Sequence, residues 1–97
     1  MAKPHDRAAR LVAKKLNGRY RSESSPDVKG KRGRAEVKTS ADEIPKALKQ
    51  LGGGSGPAYV VLPKSEHKEA QRRLKGRKTG LMDYLANIKK QSTRRRQ

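Results

Sequence analysis

Pro26-Asp27-Val28-Lys29-Gly30-Lys31-Arg32-Gly33-Arg34-Ala35-Glu36-Val37-Lys38-Thr39 is the stretch on which the fold turns. Gly30-Lys31-Arg32-Gly33 is a turn signal between two short strand patterns, so the segment predicts a β-hairpin. One strand opens at Asp27; its partner runs over residues 34–39. Side chains alternate along a strand, so Ala35, Val37 and Thr39 share one face, and Glu36 and Lys38 share the other. Pairing then brings Asp27 to Glu36 and Lys38, gathering two carboxylates and an ammonium. A hard cation takes oxygen ligands, usually one or two carboxylates with water and substrate phosphate. A lysine beside it can hold a phosphate or help to activate water. The chemistry open to such a group is metal-assisted phosphodiester hydrolysis.

Upstream, residues 6–16 read as a helix, with Ala8, Leu11, Val12 and Leu16 at helical spacing and Gly18 as the stop. Residues 19–24, with Tyr20, form a loosely alternating first strand broken by Ser24-Ser25-Pro26. Downstream, Ser40-Ala41-Asp42-Glu43 has the form of a capping box. It opens a helix striped by Ile44, Ala47, Leu48 and Leu51, with Pro45 tolerated in the first turn. Glycines 52–54 and Gly56 end it in a loop. Ala58-Tyr59-Val60-Val61-Leu62 is a continuous apolar run, as expected of a buried central strand, and Pro63 closes it. Residues 65–74 predict a third helix, residues 78–83 a last strand, and residues 85–89 a small hairpin partner. The expected organisation is one domain over residues 1–90 and a disordered basic tail over 91–97.

Composition narrows the partner. The 97 residues hold 26 Lys and Arg against 9 Asp and Glu, a formal net charge of +17. Such a charge favours a polyanion, and nucleic acid comes first because phosphate contacts dominate its binding. No apolar run is long enough to span a bilayer, so no membrane partner is expected. Cysteine is absent, which excludes disulfides and thiolate metal sites; a cytoplasmic, intracellular location is the default. With three Tyr and no Phe or Trp, base stacking is not the expected mode. Hydrophobic residues are 31% of the chain, so the core is small and a homodimer would add buried surface.

The pair Pro26-Asp27 with Glu36-Val37-Lys38, in an order α-β-β-β-α-β-α-β, resembles the PD-(D/E)XK nuclease superfamily. The resemblance covers the chain from the first helix to the last strand, and looks closest to small archaeal or viral Holliday junction resolvases and RecB-type nuclease domains. It implies an α/β, restriction-endonuclease-like core: a central mixed β-sheet flanked by helices. It implies a deoxyribonuclease dependent on Mg²⁺ or Mn²⁺, with DNA as partner and junctions or other branched DNA among its candidate substrates. Asp27, Glu36 and Lys38 would be catalytic; Asp27, Glu36 and the Val37 carbonyl would hold the metal. Relatives often add an acidic residue from the first helix, a position filled here by Asp6, which equally suits a first-turn aspartate stabilising that helix. Gln50 stands where RecB-type relatives carry a glutamine, although their following tyrosine is replaced by glycine. Lys46, one turn before it, and Ser40 are candidate phosphate contacts, as are Arg19, Arg21, Lys31, Arg32 and Arg34 around the site.

Two rivals stand beside this reading. A non-enzymatic nucleic-acid-binding protein uses the same charge and demands nothing of Asp27, Glu36 or Lys38. An inactive nuclease-like subunit keeps the fold without the chemistry.

Overall fold

The computed structural model describes residues 4–21, 26–52 and 56–92. The elements are α1 (Pro4–Lys15), β1 (Gly18–Tyr20), β2 (Val28–Gly30), β3 (Gly33–Val37), α2 (Ile44–Leu51), β4 (Ala58–Val61), α3 (His67–Leu74), β5 (Gly80–Met82) and β6 (Ile88–Lys90). Short 3₁₀ turns at Ala41–Glu43 and Lys64–Glu66 lead into α2 and α3. The strands form one mixed sheet in the spatial order β1-β2-β3-β4-β5-β6. β1, β2 and β3 pair antiparallel, β3, β4 and β5 parallel, and β6 antiparallel to β5. The chain is thus α/β, a six-stranded sheet flanked by helices.

Each helix lands where its apolar face is needed. α1 covers one side of the sheet, where Ala8, Ala9, Val12 and Leu16 pack on Val28, Val37, Val61 and Met82. α2 and α3 cover the other, with Ile44, Ala47, Leu51, Ala70 and Leu74 against Val60, Leu62 and Leu81. β4 is buried along its whole length between parallel neighbours, as its apolar run predicts. The alternation on β3 is as read: Ala35 and Val37 join the α1 side, and Glu36 lies opposite Val60.

Several details differ from expectation. Leu11 is left exposed, while Ala9 and Ala13 take the buried positions of α1; small side chains let the helix lie close to the sheet. Asn17, not Gly18, makes the left-handed stop, with φ of 55°. Gly18 is instead paired with Gly30 across β1 and β2, where a Cβ on Gly18 would run into the Lys29 carbonyl. The Ser40 hydroxyl accepts from the Asp42 N–H as an N-cap should. The Glu43 carboxylate reaches back to the Ser40 N–H, as a capping box requires, and accepts more strongly from the N–H and hydroxyl of Thr39; the element it opens is a 3₁₀ turn before α2. Gln91 and Ser92, expected to begin the tail, are held on the sheet: the Ala58 N–H donates to the Ser92 hydroxyl, which donates to the Lys78 carbonyl. The predicted strand over 22–24 and the tail over 93–97 lie outside the described residues.

Candidate active site

The hairpin turn is tight, so Gly30 pairs with Gly33 and Val28 with Ala35. One step further, beyond the last ladder pair, stand Asp27 and Glu36. Here carboxylates replace the ladder. The Asp27 N–H donates to Glu36 Oε1 at 2.8 Å, and the Val37 N–H donates to Asp27 Oδ2 at 3.1 Å. Lys38 places its Nζ 3.4 Å from Glu36 Oε2. The three expected catalytic residues therefore meet, and all three side chains are nearly enclosed, at 10%, 3% and 11% exposure for Asp27, Glu36 and Lys38.

Enclosure sets the electrostatics. Burial pushes the Glu36 carboxyl above the ordinary glutamate value, and the nearby Asp27 charge adds to the rise; the Asp27 N–H and Lys38 oppose it without cancelling it. A buried carboxyl with a raised pKa, a second carboxylate and a lysine is the kind of grouping found where chemistry is done.

The first helix also brings in His5, a lone histidine near the terminus that could assist Asp6 but more often would be solvated. His5 Nε2 lies 3.1 Å from the Val37 carbonyl and 3.7 Å from Asp27 Oδ2. Its Nδ1 lies 3.7 Å from Asp6 Oδ1, which accepts the Tyr20 hydroxyl at 2.6 Å. The Tyr20 hydroxyl is the main cause holding the Asp6 carboxyl below its ordinary value. Asp6 therefore reaches the cluster through His5, not beside Asp27 directly. The signal for His5 was present: residues 5, 9, 12 and 16 follow helical spacing, so His5 extends the buried stripe of α1 by one turn. Tyr84, which no sequence motif singles out, donates its hydroxyl to the Lys38 carbonyl at 2.8 Å and ties down the end of β3.

The expected phosphate contacts divide. Arg19, Arg21 and Lys31 line a concavity of about 460 Å³ that also touches Asp27. Arg32 is exposed at the hairpin turn, its N–H donating to the Leu16 carbonyl. Arg34 turns its guanidinium to the carbonyls of Leu51, Gly52 and Gly56, clasping the end of α2. Ser40 is the N-cap already described, and Lys46 is exposed on α2. Gln50 is half-buried, and its Oε1 is enclosed with no donor among the described residues.

The donor set suits a hard divalent cation: carboxylate oxygens of Asp27 and Glu36 and the Val37 carbonyl, with the His5 imidazole beside them. No group of three or more His, Asp or Glu among the described residues is placed to hold a metal. Main-chain carbonyl, water and substrate phosphate would have to complete the shell. Comparison with family models, curated proteins and solved structures finds no match to this chain.

Proposed function

We propose that the chain is a metal-dependent deoxyribonuclease with a restriction-endonuclease-like core, and that Asp27, Glu36 and Lys38 form its cleavage centre. The observation that carries this is the enclosed meeting of these residues at the point where β2 and β3 part, with the Glu36 carboxyl displaced upward. A solvated surface pair has neither the burial nor the second carboxylate.

Asp27, Glu36 and the Val37 carbonyl would hold Mg²⁺ or Mn²⁺, while the His5 imidazole donates to that carbonyl and borders the site. Such a cation supplies a Lewis acid for the phosphoryl oxygen and a more acidic bound water. Lys38, held near Glu36 and fixed through its carbonyl by Tyr84, would orient the attacking water or offset charge developing on the phosphate. Asp6, which accepts the Tyr20 hydroxyl, lies beside His5 and adds negative charge at the rim of the site. The net charge of +17 supports a polyanionic substrate, and the scarcity of aromatics supports recognition by backbone and shape. A second copy belongs to the reading where both strands of a branched DNA are cut.

The non-enzymatic binding protein rests on the same charge but gives no reason for an enclosed Glu36. The test is cleavage of labelled linear duplex, single strand and four-way junction with Mg²⁺, Mn²⁺ or EDTA, for the wild type and Glu36→Gln. Cation-dependent incision lost in the variant is the expected result. Tight binding with no incision under either cation would move the reading to a binding protein or an inactive subunit.

A further inference from the structure

Resting on the nuclease reading, we infer that the outer face of the β1–β2 hairpin is a track for the sugar–phosphate backbone of one DNA strand, leading to the cleavage centre. Arg19 and Lys29 are paired directly across the hairpin. Residues two apart share a strand face, so Arg21 and Lys31 extend the same row beyond the last ladder pairs. The opposite face carries Val28 and Tyr20 into the core beneath α1. On the outer side α2 packs on β3 and β4, and α3 packs on β5. The hairpin there forms the concavity of about 460 Å³, with Arg19, Arg21, Lys29 and Lys31 around the Gly18 and Gly30 backbone and Asp27 at its edge.

Three features identify the occupant. Four cationic side chains on one short hairpin face complement a row of phosphates. No aromatic among the described residues lines the concavity, so bases have nothing to stack on and the backbone is what is gripped. Asp27 to Lys31 spans β2 and the residue on either side of it, about 13 Å at the roughly 3.3 Å per residue of an extended chain. That length matches the rise of about four nucleotides of one duplex strand. The track therefore delivers a strand to Asp27 by charge alone, with no base readout.

The test is binding of a labelled duplex of about 20 base pairs in EDTA, between about 50 and 200 mM salt. The variant is Arg19→Gln/Lys29→Gln, and the control is Lys68→Gln/Lys75→Gln, which removes the same charge from exposed positions on and after α3. The hairpin variant is expected to lower the slope of log K against log salt by about 2 and to weaken binding at least about tenfold at the lower salt. The control should change the slope by less than about 0.5. Equal changes in both variants, or an unchanged slope in the hairpin variant, would overturn the track. Because no cutting is required, the outcomes separate. A slope change without incision under any cation keeps the track and removes the nuclease, whereas cation-dependent incision with an unchanged slope removes only the track.

Discussion

Removing the Glu36–Lys38 charges together is expected to abolish the metal response while leaving the fold intact. The variant is Glu36→Gln/Lys38→Met. The new amide oxygen can still accept the Asp27 N–H, and the thioether chain keeps an unbranched aliphatic stem in place of the lysine. At 3.4 Å the ions attract by roughly 5 kcal/mol at an effective dielectric of 20. Taking two ions out of water costs several kcal/mol each. The attraction offsets much of that cost but not all of it, and the raised pKa of Glu36 says that for this carboxyl the cost exceeds the return. The double variant without metal should therefore melt within about 1 kcal/mol of wild type or above it, and each kcal/mol corresponds to about 4–8 °C in a domain of this size. Glu36→Ala alone differs in kind: it strands Lys38 and the Asp27 N–H, at about 3–5 kcal/mol. With the cation at ten times its Kd, wild type should gain about 1.4 kcal/mol, and the double variant nothing. Thermal unfolding in EDTA and across a Mg²⁺ or Mn²⁺ series reads both effects. A metal-free loss of about 3 kcal/mol or more would mean that the pair is part of the fold. Equal metal-driven rises in the two proteins would place the cation elsewhere.

Further expectations concern pH and packing. Glu36 must be ionised to act as an oxygen donor, and its pKa without metal is raised, so the apparent affinity for Mn²⁺ should weaken with falling pH while still above the 4.5 of an ordinary glutamate; an affinity flat down to that pH would contradict the role. The stability sign is opposite: a raised folded pKa gives a contribution present below the unfolded pKa and lost as pH rises through the folded one, so ionised Glu36 weakens the fold at neutrality. For Asp83, burial acts upward, but hydrogen bonds from Asn87 and Leu85 prevail and hold the carboxyl low. Its contribution is present above the unfolded pKa and lost as pH falls through the folded one, and Asp83→Ala should cost about 2–3 kcal/mol by chemical denaturation near pH 7. Loss under about 0.5 kcal/mol would mean that this turn holds itself. Gly18→Ala should cost on the order of 3 kcal/mol or more, because its Cβ meets the Lys29 carbonyl and the Gly30 Cα; a cooperative wild-type melt would show that β1 can shift.

Local chemistry made much of this legible. The two-glycine turn and the alternation of Ala35, Glu36, Val37 and Lys38 put the right side chains on each face of β3. The unbroken run at Ala58–Leu62 marked the central strand because only a strand buried on both faces lacks polar alternation. What escaped depended on contacts between distant segments. His5 reaches Val37 across 32 positions, and Tyr84 reaches Lys38 across 46; no short window contains either pair. Leu11 looked like core and is exposed, because periodicity fixes a helix face only to within a residue and the sheet selects the alanines. The basic residues were legible only as a total. Folding sorts them into the clasp of Arg34 on α2 and the row on the β1–β2 hairpin.

The most direct measurement of the central claim is the single-turnover incision rate of end-labelled DNA with saturating protein, comparing wild type and Lys38→Met in Mn²⁺, in Mg²⁺ and in EDTA. The account predicts incision by wild type only with the cation, and a Lys38→Met protein that binds DNA but cuts at least about 100-fold more slowly. Equal rates from the two proteins, or no incision by wild type with either Mn²⁺ or Mg²⁺, would contradict it.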